Sequence, residues 1–169
     1  LVAKTRALAE EIGEVAEHPV TIMEVCGTHT HQFGRYGLAQ MLPTHVQLLS
    51  GPGCPVCVTS AGEIDAALEL ARQPGVTIAT FGDMVRVPGS ESTLAHERAR
   101  GADVKVFFSP IEAVDLAEQT DGEVVMLGVG FETTTPGVAV ALREAKRRDL
   151  PNFSTMIAHK RLVPALEAL

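Results

Sequence analysis

The chain has 169 residues, of which 46% are hydrophobic and 21% are charged, and this mixture excludes a disordered chain. The formal net charge is −7 and no basic stripe is visible, so a nucleic-acid backbone is not expected as a partner. The longest uncharged apolar run, residues 124–131, is far too short to span a membrane, so no membrane association is expected.

Helices and strands alternate along the sequence, as the spacing of the apolar residues indicates. In chain order we predict a helix at 3–17, a strand at 20–25, a short helix at 35–41, a strand at 46–49, a helix after Ser60, a strand at 76–81, a helix at 92–100, a strand at 104–108, a helix at 111–118, a strand at 124–129, a helix from 135, a strand at 154–158 and a helix from 163. This alternation predicts an α/β fold with right-handed βαβ units and a mainly parallel sheet that carries helices on both faces. We expect residues 1–150 to form one α/β domain and residues 151–169 to begin a second, truncated α/β domain.

Three of these elements carry clear local signals. Ser60 followed by Glu63 is a capping-box pattern, which predicts that a helix begins directly after Ser60. Residues 124–129 are apolar without interruption, which predicts a strand buried on both faces. Four positions of the helix from 135 are predicted to face the core: Val138, Ala141, Leu142 and Ala145.

Four polar loops that contain glycine follow predicted strands, at residues 26–31, 51–57, 81–89 and 130–135. The carboxyl ends of parallel strands meet at one edge of a sheet, and open α/β sheets bind their ligands at this edge. We therefore expect the functional loops of the protein to lie at the carboxyl edge of the sheet.

The chain contains three cysteines, and two of them form the motif Cys54-Pro-Val-Cys57. An odd number of cysteines does not suit the disulfide framework of a secreted domain, so we expect redox or metal chemistry in the cytoplasm. A Cys-x-x-Cys pair closes a reversible disulfide or holds a soft metal through two thiolates. The simpler alternative is a pair of packed and inert cysteines.

The remaining cysteine, Cys26, is followed by two histidines, His29 and His31. We predict an extended loop here, in which both imidazoles point the same way and the thiol lies close to them. A thiolate with an imidazole suits iron, zinc or copper, and it also suits nucleophilic catalysis by a Cys-His pair. Two alternatives stay open: Cys26 is a small buried hydrophobe, or it joins Cys54, Cys57 and a histidine in a zinc site.

Four further polar residues lie in the third and fourth loops: Asp83, Arg86, Glu132 and Thr133. They are candidates for binding a cofactor or ligand at the same edge, whereas surface and helix-capping roles are the plainer alternatives. The sequence has neither a Gly-x-x-x-x-Gly-Lys-Ser/Thr motif nor a complete Gly-x-Gly-x-x-Gly motif, so no nucleotide site is predicted.

Five motifs follow one another along the chain: Met-Glu-Val-Cys-Gly-Thr-His-Thr-His at 23–31, Arg-Tyr-Gly-Leu at 35–38, Ser-Gly-Pro-Gly-Cys-Pro-Val-Cys-Val-Thr at 50–59, Thr-Phe-Gly-Asp-Met at 80–84 with Arg-Val-Pro-Gly-Ser at 86–90, and Gly-Phe-Glu-Thr-Thr at 130–134. Together and in this order they resemble the HypD family of hydrogenase maturation factors. The resemblance runs from about Thr21 to the last residue.

This resemblance implies a maturation scaffold rather than an ordinary turnover enzyme. Proteins of the family act with a small HypC-like chaperone to assemble the Fe(CO)(CN)₂ unit of nickel–iron hydrogenase, and a HypE-like protein supplies the cyanide-derived ligands. By matching motif, Cys26 is implied to hold this iron with His29 beside it, and Cys54 and Cys57 are implied to form a thiol–disulfide redox pair.

The resemblance also implies a 4Fe-4S cluster, whose cysteines lie further along the full-length proteins of the family. Because no cysteine follows Cys57, we expect this cluster to lie outside the chain. Two functions of other classes stay open: a thiol–disulfide oxidoreductase that uses Cys54 and Cys57, and a structural zinc-binding α/β module.

Overall fold

The computed structural model of the chain describes residues 2–51 and 58–167. The chain divides into two compact units, Leu1–Cys54 and Pro55–Leu169, which we call the first and the second unit. All strand pairs in the described residues are parallel, which confirms the predicted α/β class. None of the helices in these residues has the length and apolar content needed to cross a bilayer.

The first unit contains a two-stranded sheet. The elements of the first unit are α1 (Val2–Val15), β1 (Val20–Glu24), α2 (Gly27–Tyr36), a 3₁₀ helix (Leu38–Gln40) and β2 (Val46–Ser50). β1 and β2 run in register from Val20 opposite Val46 to Glu24 opposite Ser50. Their carboxyl ends therefore lie side by side, at the point where the chain enters α2 and the loop after residue 50.

The strands of the described residues form two parallel sheets, where the sequence analysis speaks of one mainly parallel sheet. In the first unit β1 and β2 pair with each other, and both expose polar side chains such as Thr21 and Gln47.

The short helix predicted at 35–41 is right only in part: α2 begins at Gly27 and ends at Tyr36, and a separate 3₁₀ helix, Leu38–Gln40, lies inside the predicted range. The stop is local: Gly37 adopts the left-handed conformation at φ 61°, and its N–H closes the last turn on the carbonyl of Gly34. Glycine, threonine and histidine are weak helix formers, so propensity alone favours a loop over residues 27–31. The structure nevertheless forms a helix over these residues.

The second unit contains a four-stranded sheet in the order β4-β3-β5-β6. Its elements are α3 (Ala61–Ala71), β3 (Val76–Phe81), a 3₁₀ helix (Gly82–Arg86), α4 (Leu94–Ala99), β4 (Asp103–Phe107), α5 (Pro110–Glu118), β5 (Glu123–Gly130), α6 (Thr135–Arg147), β6 (Phe153–His159) and α7 (Leu162–Glu167). The predicted capping box is confirmed: the Ser60 N–H donates to Glu63 Oε2 at 2.8 Å, and the Glu63 N–H donates to Ser60 Oγ at 3.3 Å.

Helices cover both faces of this sheet, as the sequence predicts. On one face α3 and α4 pack against alternate side chains of β5 such as Val125 and Leu127. On the other face α5 and α6 pack against Val124 and Met126. Every residue of β5 after Glu123 is buried, which confirms that this strand is covered on both sides. Leu142 is 40% exposed, so its predicted place in the core is wrong.

β6 lies at one end of the four-stranded sheet and is anchored at both of its ends. The Asn152 side-chain amide donates to three main-chain carbonyls: Ala117 at 3.0 Å, Thr120 at 2.8 Å and Gly122 at 3.1 Å. At the other end, Lys160 Nζ donates to Glu63 Oε1 at 2.5 Å. These contacts join β6 to α3, to α5 and to the turn before β5. The predicted start of a second domain at residue 151 stays a prediction.

The carboxylate of Glu97 is buried in the second unit, and one of its oxygens, Oε1, is the acceptor of three hydrogen bonds. It accepts hydrogen bonds from Arg72 at 2.9 Å, from Ser92 at 2.5 Å and from Arg100 at 3.5 Å, and only 4% of the residue is exposed. Hydrogen bonds from Arg72 and Ser92 lower the pKa of Glu97 to about 2. A carboxyl group with a lowered folded-state pKa stabilises the fold at neutral pH and loses that contribution in acid.

We predict that E97Q changes how the free energy of unfolding depends on pH in the acidic range. Below an unfolded-state pKa of about 4.3 the wild-type contribution declines, and it is lost as pH falls through the folded-state pKa. E97Q should therefore be less stable than the wild type at pH 7, and the difference should shrink between roughly pH 4.3 and the folded-state pKa. Urea denaturation at a series of pH values measures this difference, with E123Q at an exposed glutamate as the control. Parallel curves for E97Q and the wild type would contradict the prediction.

Candidate functional site at the sheet edges

The carboxyl edge of the first sheet brings two of the predicted loops together. The Gly51 N–H donates to the main-chain oxygen of Glu24 at 2.8 Å, directly after the end of β2. A Cβ on Gly51 would lie 2.5 Å from Met23 Cγ, so a larger residue here would have to displace the Met23 side chain. Cys26 and the loop at 51–57 therefore start from the same edge. Cys54 and Cys57 lie outside the described residues.

Three chemically different side chains converge at this edge. Glu24 ends β1, Cys26 is the N-cap residue of α2 and carries a free thiol, and His29 lies in the first turn of α2. One donor atom from each of these side chains lies within 4.8 Å of the other two. His29 Nδ1 lies 3.2 Å from Glu24 Oε1. The cluster therefore combines a thiol, an imidazole and a carboxylate.

The structure brings His29, but not His31, to Cys26. The predicted extended loop is wrong because residues 27–31 are helical. In a helix, residues two apart point about 200° apart around the axis, so the two imidazoles do not share a direction. His31 is exposed, and the metal-ligating cluster found in the described residues does not include it.

Sequence reasoning missed Glu24, although a signal for it exists. Glu24 precedes Cys26 by two residues, and residues two apart in extended chain point to the same side. The N-cap residue Cys26 keeps extended dihedral angles, with φ −140° and ψ 117°. A carboxylate two positions before the candidate cysteine, at the end of a predicted strand, therefore indicates a shared site.

The second unit places the other four candidates in two loops at the carboxyl edge of its own sheet. Asp83 and Arg86 are exposed on the 3₁₀ helix after β3, and Glu132 and Thr133 are exposed in the turn after β5. β3 and β5 are neighbours, but the chain runs from β3 to β4 on one side and from β5 to β6 on the other. Such a reversal of strand order opens a crevice where α/β sheets bind ligands.

Glu132 also has a clear structural task. Its carboxylate accepts hydrogen bonds from the Leu162 N–H, at 3.1 and 3.0 Å to its two oxygens, at the start of α7. Hydrogen bonds from its own main-chain N–H and from that of Leu162 lower the pKa of Glu132. The helix-capping role considered for Glu132 is thus present, and its role toward a ligand stays a prediction.

The turn after β5 is shaped by Gly130 and Thr134. Gly130 has φ 136°, a conformation that side-chain-bearing residues rarely adopt. The Thr134 hydroxyl packs over Gly130 and lies 3.0 Å from the carbonyl of Phe131 and 3.3 Å from that of Val129. This tight turn exposes Glu132 and Thr133 at the sheet edge.

The fold and the cluster define a class: a parallel α/β protein that carries a thiol, an imidazole and a carboxylate at the carboxyl edge of a sheet. The family model described as "HypD: Hydrogenase formation hypA family" matches residues 3–169. The chain therefore belongs to the HypD family.

Full-length relatives support this assignment. The chain is 46% identical over 170 residues to the hydrogenase maturation factor HypD of Escherichia coli (strain K12), covering 100% of this chain and 46% of that protein. It is 45% identical over 170 residues to HypD of Rhodobacter capsulatus, covering 100% of this chain and 45% of the relative. It is 46% identical over 171 residues to HypD of Azotobacter vinelandii, covering 99% of this chain and 45% of the relative. The chain thus spans less than half the length of the curated relatives it matches.

Proposed function

We propose that this chain is the part of a hydrogenase maturation scaffold that holds iron while the Fe(CO)(CN)₂ unit of nickel–iron hydrogenase is assembled. Cys26 holds the iron and His29 supports it. The observation that carries this proposal is the convergence of the Cys26 thiol and the His29 imidazole at the carboxyl end of β1. The iron unit is cargo that the scaffold passes on, rather than a resident cofactor.

The chemistry of the donors fits this cargo. Thiolate and imidazole are ligands that iron accepts, and a thiolate at the amino end of α2 meets the positive end of the helix dipole. α2 has 10 residues, which is long enough for its main-chain dipoles to add along the axis. Half-burial of Cys26 limits access by water while leaving the thiol reachable.

The second part of the proposal concerns Cys54 and Cys57, which we assign as a redox pair that exchanges electrons at the same edge. Support comes from their two-residue spacing and from Gly51, which starts their loop beside Glu24. The electrons come from a 4Fe-4S cluster outside this chain. Such a cluster takes four cysteine ligands, whereas the chain has three cysteines.

The redox assignment predicts a reversible change in the thiol count. Alkylation should detect all three cysteines in the reduced chain and only Cys26 after mild oxidation. Mass spectrometry of the alkylated protein measures the count, and circular dichroism checks that the fold is retained. If a folded chain keeps every thiol free after oxidation, the redox assignment is wrong.

We keep the remaining candidates as residues that bind a cofactor or ligand at these sheet edges. Asp83, Arg86, Glu132 and Thr133 flank the strand-order reversal of the second unit, and His31 is exposed on α2. A HypC-like chaperone and a HypE-like cyanide donor are the partners that we propose.

The proposal is tested on the full-length protein isolated without oxygen together with its HypC-like partner. Infrared spectroscopy should detect the stretching bands of bound cyanide and carbon monoxide, and metal analysis should find iron in proportion to them. Iron without such bands, or zinc in place of iron, would overturn the proposal and favour the structural zinc module.

A further inference from the structure

We propose that Glu24 is a third protein ligand of the metal that Cys26 and His29 hold. No motif-based reasoning pointed to this residue, and the inference rests on the proposed metal-holding role of Cys26. The site then offers a carboxylate, a thiolate and an imidazole to a divalent cation.

The distances between the three donor atoms suit a shared metal ion. The three donor atoms lie within 4.8 Å of one another, and Glu24 Oε1 lies 3.2 Å from His29 Nδ1. Oxygen and nitrogen ligands bind a metal at about 2.0–2.2 Å, so two neighbouring ligands of one six-coordinate ion are separated by about 2.8–3.1 Å. The carboxylate and the ring nitrogen already have nearly this separation. The thiol lies within 4.8 Å of both atoms and has to move toward them when an ion binds.

The environment of the Glu24 carboxylate favours a bound cation. The Glu24 side chain is 19% exposed, whereas that of His29 is 64% exposed. Within residues 2–51 and 58–167, the carboxylate of Glu24 has a single hydrogen-bond or ion-pair partner, the His29 ring, and no lysine or arginine pairs with it. A largely buried carboxylate without a full positive charge beside it is costly. A bound divalent cation supplies that missing charge.

The main chain holds the three donor residues in place before a metal ion binds. The main chain of Glu24 is fixed by its place opposite Ser50 and by the hydrogen bond from Gly51. Cys26 is fixed as the N-cap residue of α2, and His29 follows within the first turn. All three donors therefore come from the end of a strand and the start of a helix, where little main-chain order has to be gained on binding.

The donor charges also suit a bare divalent cation. A carboxylate and a thiolate together carry two negative charges, which balance a divalent cation that has no other anionic ligand, and the imidazole is neutral when it ligates. Three protein donors leave three positions of a six-coordinate iron open to its other ligands.

The test is an anaerobic titration of the reduced chain with Co²⁺ alone, which reports a bound thiolate by a charge-transfer band. Both Cys54 and Cys57 are replaced by serine, so that any such band belongs to Cys26. In this background E24Q should weaken Co²⁺ binding at least about 100-fold, more than the roughly 10–100-fold typical of an outer-shell partner. In the parent, adding Co²⁺ should shift the carboxylate stretching bands in the infrared difference spectrum, and E24Q should lose that shift. E17Q, at an exposed glutamate outside the cluster, should bind like the parent.

Each outcome decides the inference. A smaller loss, with the same carboxylate bands shifted in E24Q as in the parent, would overturn it and assign Glu24 to positioning His29 through its Nδ1–H. Binding equal to the parent would also overturn it. If C26S removes neither the affinity nor the band, the metal-holding role of Cys26 itself fails, and this result is distinct from failure at Glu24. Thermal melts of E24Q and of E24D check that a loss of binding does not come from unfolding.

Discussion

C26S should abolish tight metal binding while the chain melts at or slightly above the temperature of the parent. In the proposed site the Cys26 thiolate is the softest of the few protein donors, and the neutral hydroxyl of serine would not replace it. The fold should not suffer, because Cys26 is only half-buried and caps α2 without a side-chain hydrogen bond. Serine is a preferred N-cap residue, and its hydroxyl can add up to about 1 kcal/mol of helix stability.

Two measurements check this prediction. Titration with Fe²⁺ or Co²⁺ reports the loss of binding, and a thermal melt reports the stability of the same sample. In the full-length protein, C26S should in addition fail to mature hydrogenase. Normal iron content with normal maturation would remove Cys26 from the site. A strongly lowered melting temperature would instead support the alternative in which Cys26 is a buried hydrophobe.

G130A should destabilise the second unit more than an ordinary glycine substitution does. Gly130 has φ 136°, and a Cβ at this position would overlap the hydroxyl of Thr134. A strained main-chain conformation costs about 1–3 kcal/mol, and forced overpacking adds about 1–3 kcal/mol. Thr134 is not free to rotate away without cost, since its hydroxyl lies within hydrogen-bond distance of two main-chain carbonyls. Chemical denaturation of G130A should therefore reveal a large loss of unfolding free energy.

G101A is the matched control, because it separates the two contributions. Gly101 also has a positive φ, at 106°, but a Cβ there would meet nothing within 4 Å. G101A should cost only the conformational term of about 1–3 kcal/mol. The double variant G130A/T134A should recover part of the stability lost in G130A, because it removes the overlapping hydroxyl. Equal losses for G130A and G101A would refute the proposed overlap.

The sequence predicts best those features that depend on neighbouring residues. The capping box at Ser60 and the strand centred on Met126 follow from local patterns, and the structure confirms both. The start of α2 is missed because residues 27–31 have weak helix propensity, so propensity alone does not predict the helix that the structure forms there. The division into two sheets is missed because strand pairing is non-local, and no local pattern states which strands are partners.

The candidate site follows the same rule. Cys26 and His29 are found because thiol and imidazole are rare and carry recognisable chemistry. Glu24 is missed because a single glutamate at a strand end is chemically ordinary until its burial and its 3.2 Å contact with His29 are known. The predicted direction of the His31 side chain is wrong because helix geometry, rather than residue type, decides where this side chain points.

The position of β6 at the end of its sheet has a consequence for hydrogen exchange. Among the described residues β6 pairs with β5 alone, so successive main-chain amides point alternately toward β5 and away from it. Because Asn152 and Lys160 hold the two ends of β6 in place, fraying should not blur this alternation. In deuterated water, every second amide of β6 should exchange quickly, whereas β5, paired on both sides, should be protected over the residues it shares with both neighbours. Residue-resolved hydrogen exchange by NMR would detect this alternation between fast and slow amides. Uniform protection along β6 would mean that another segment or molecule pairs with its open side.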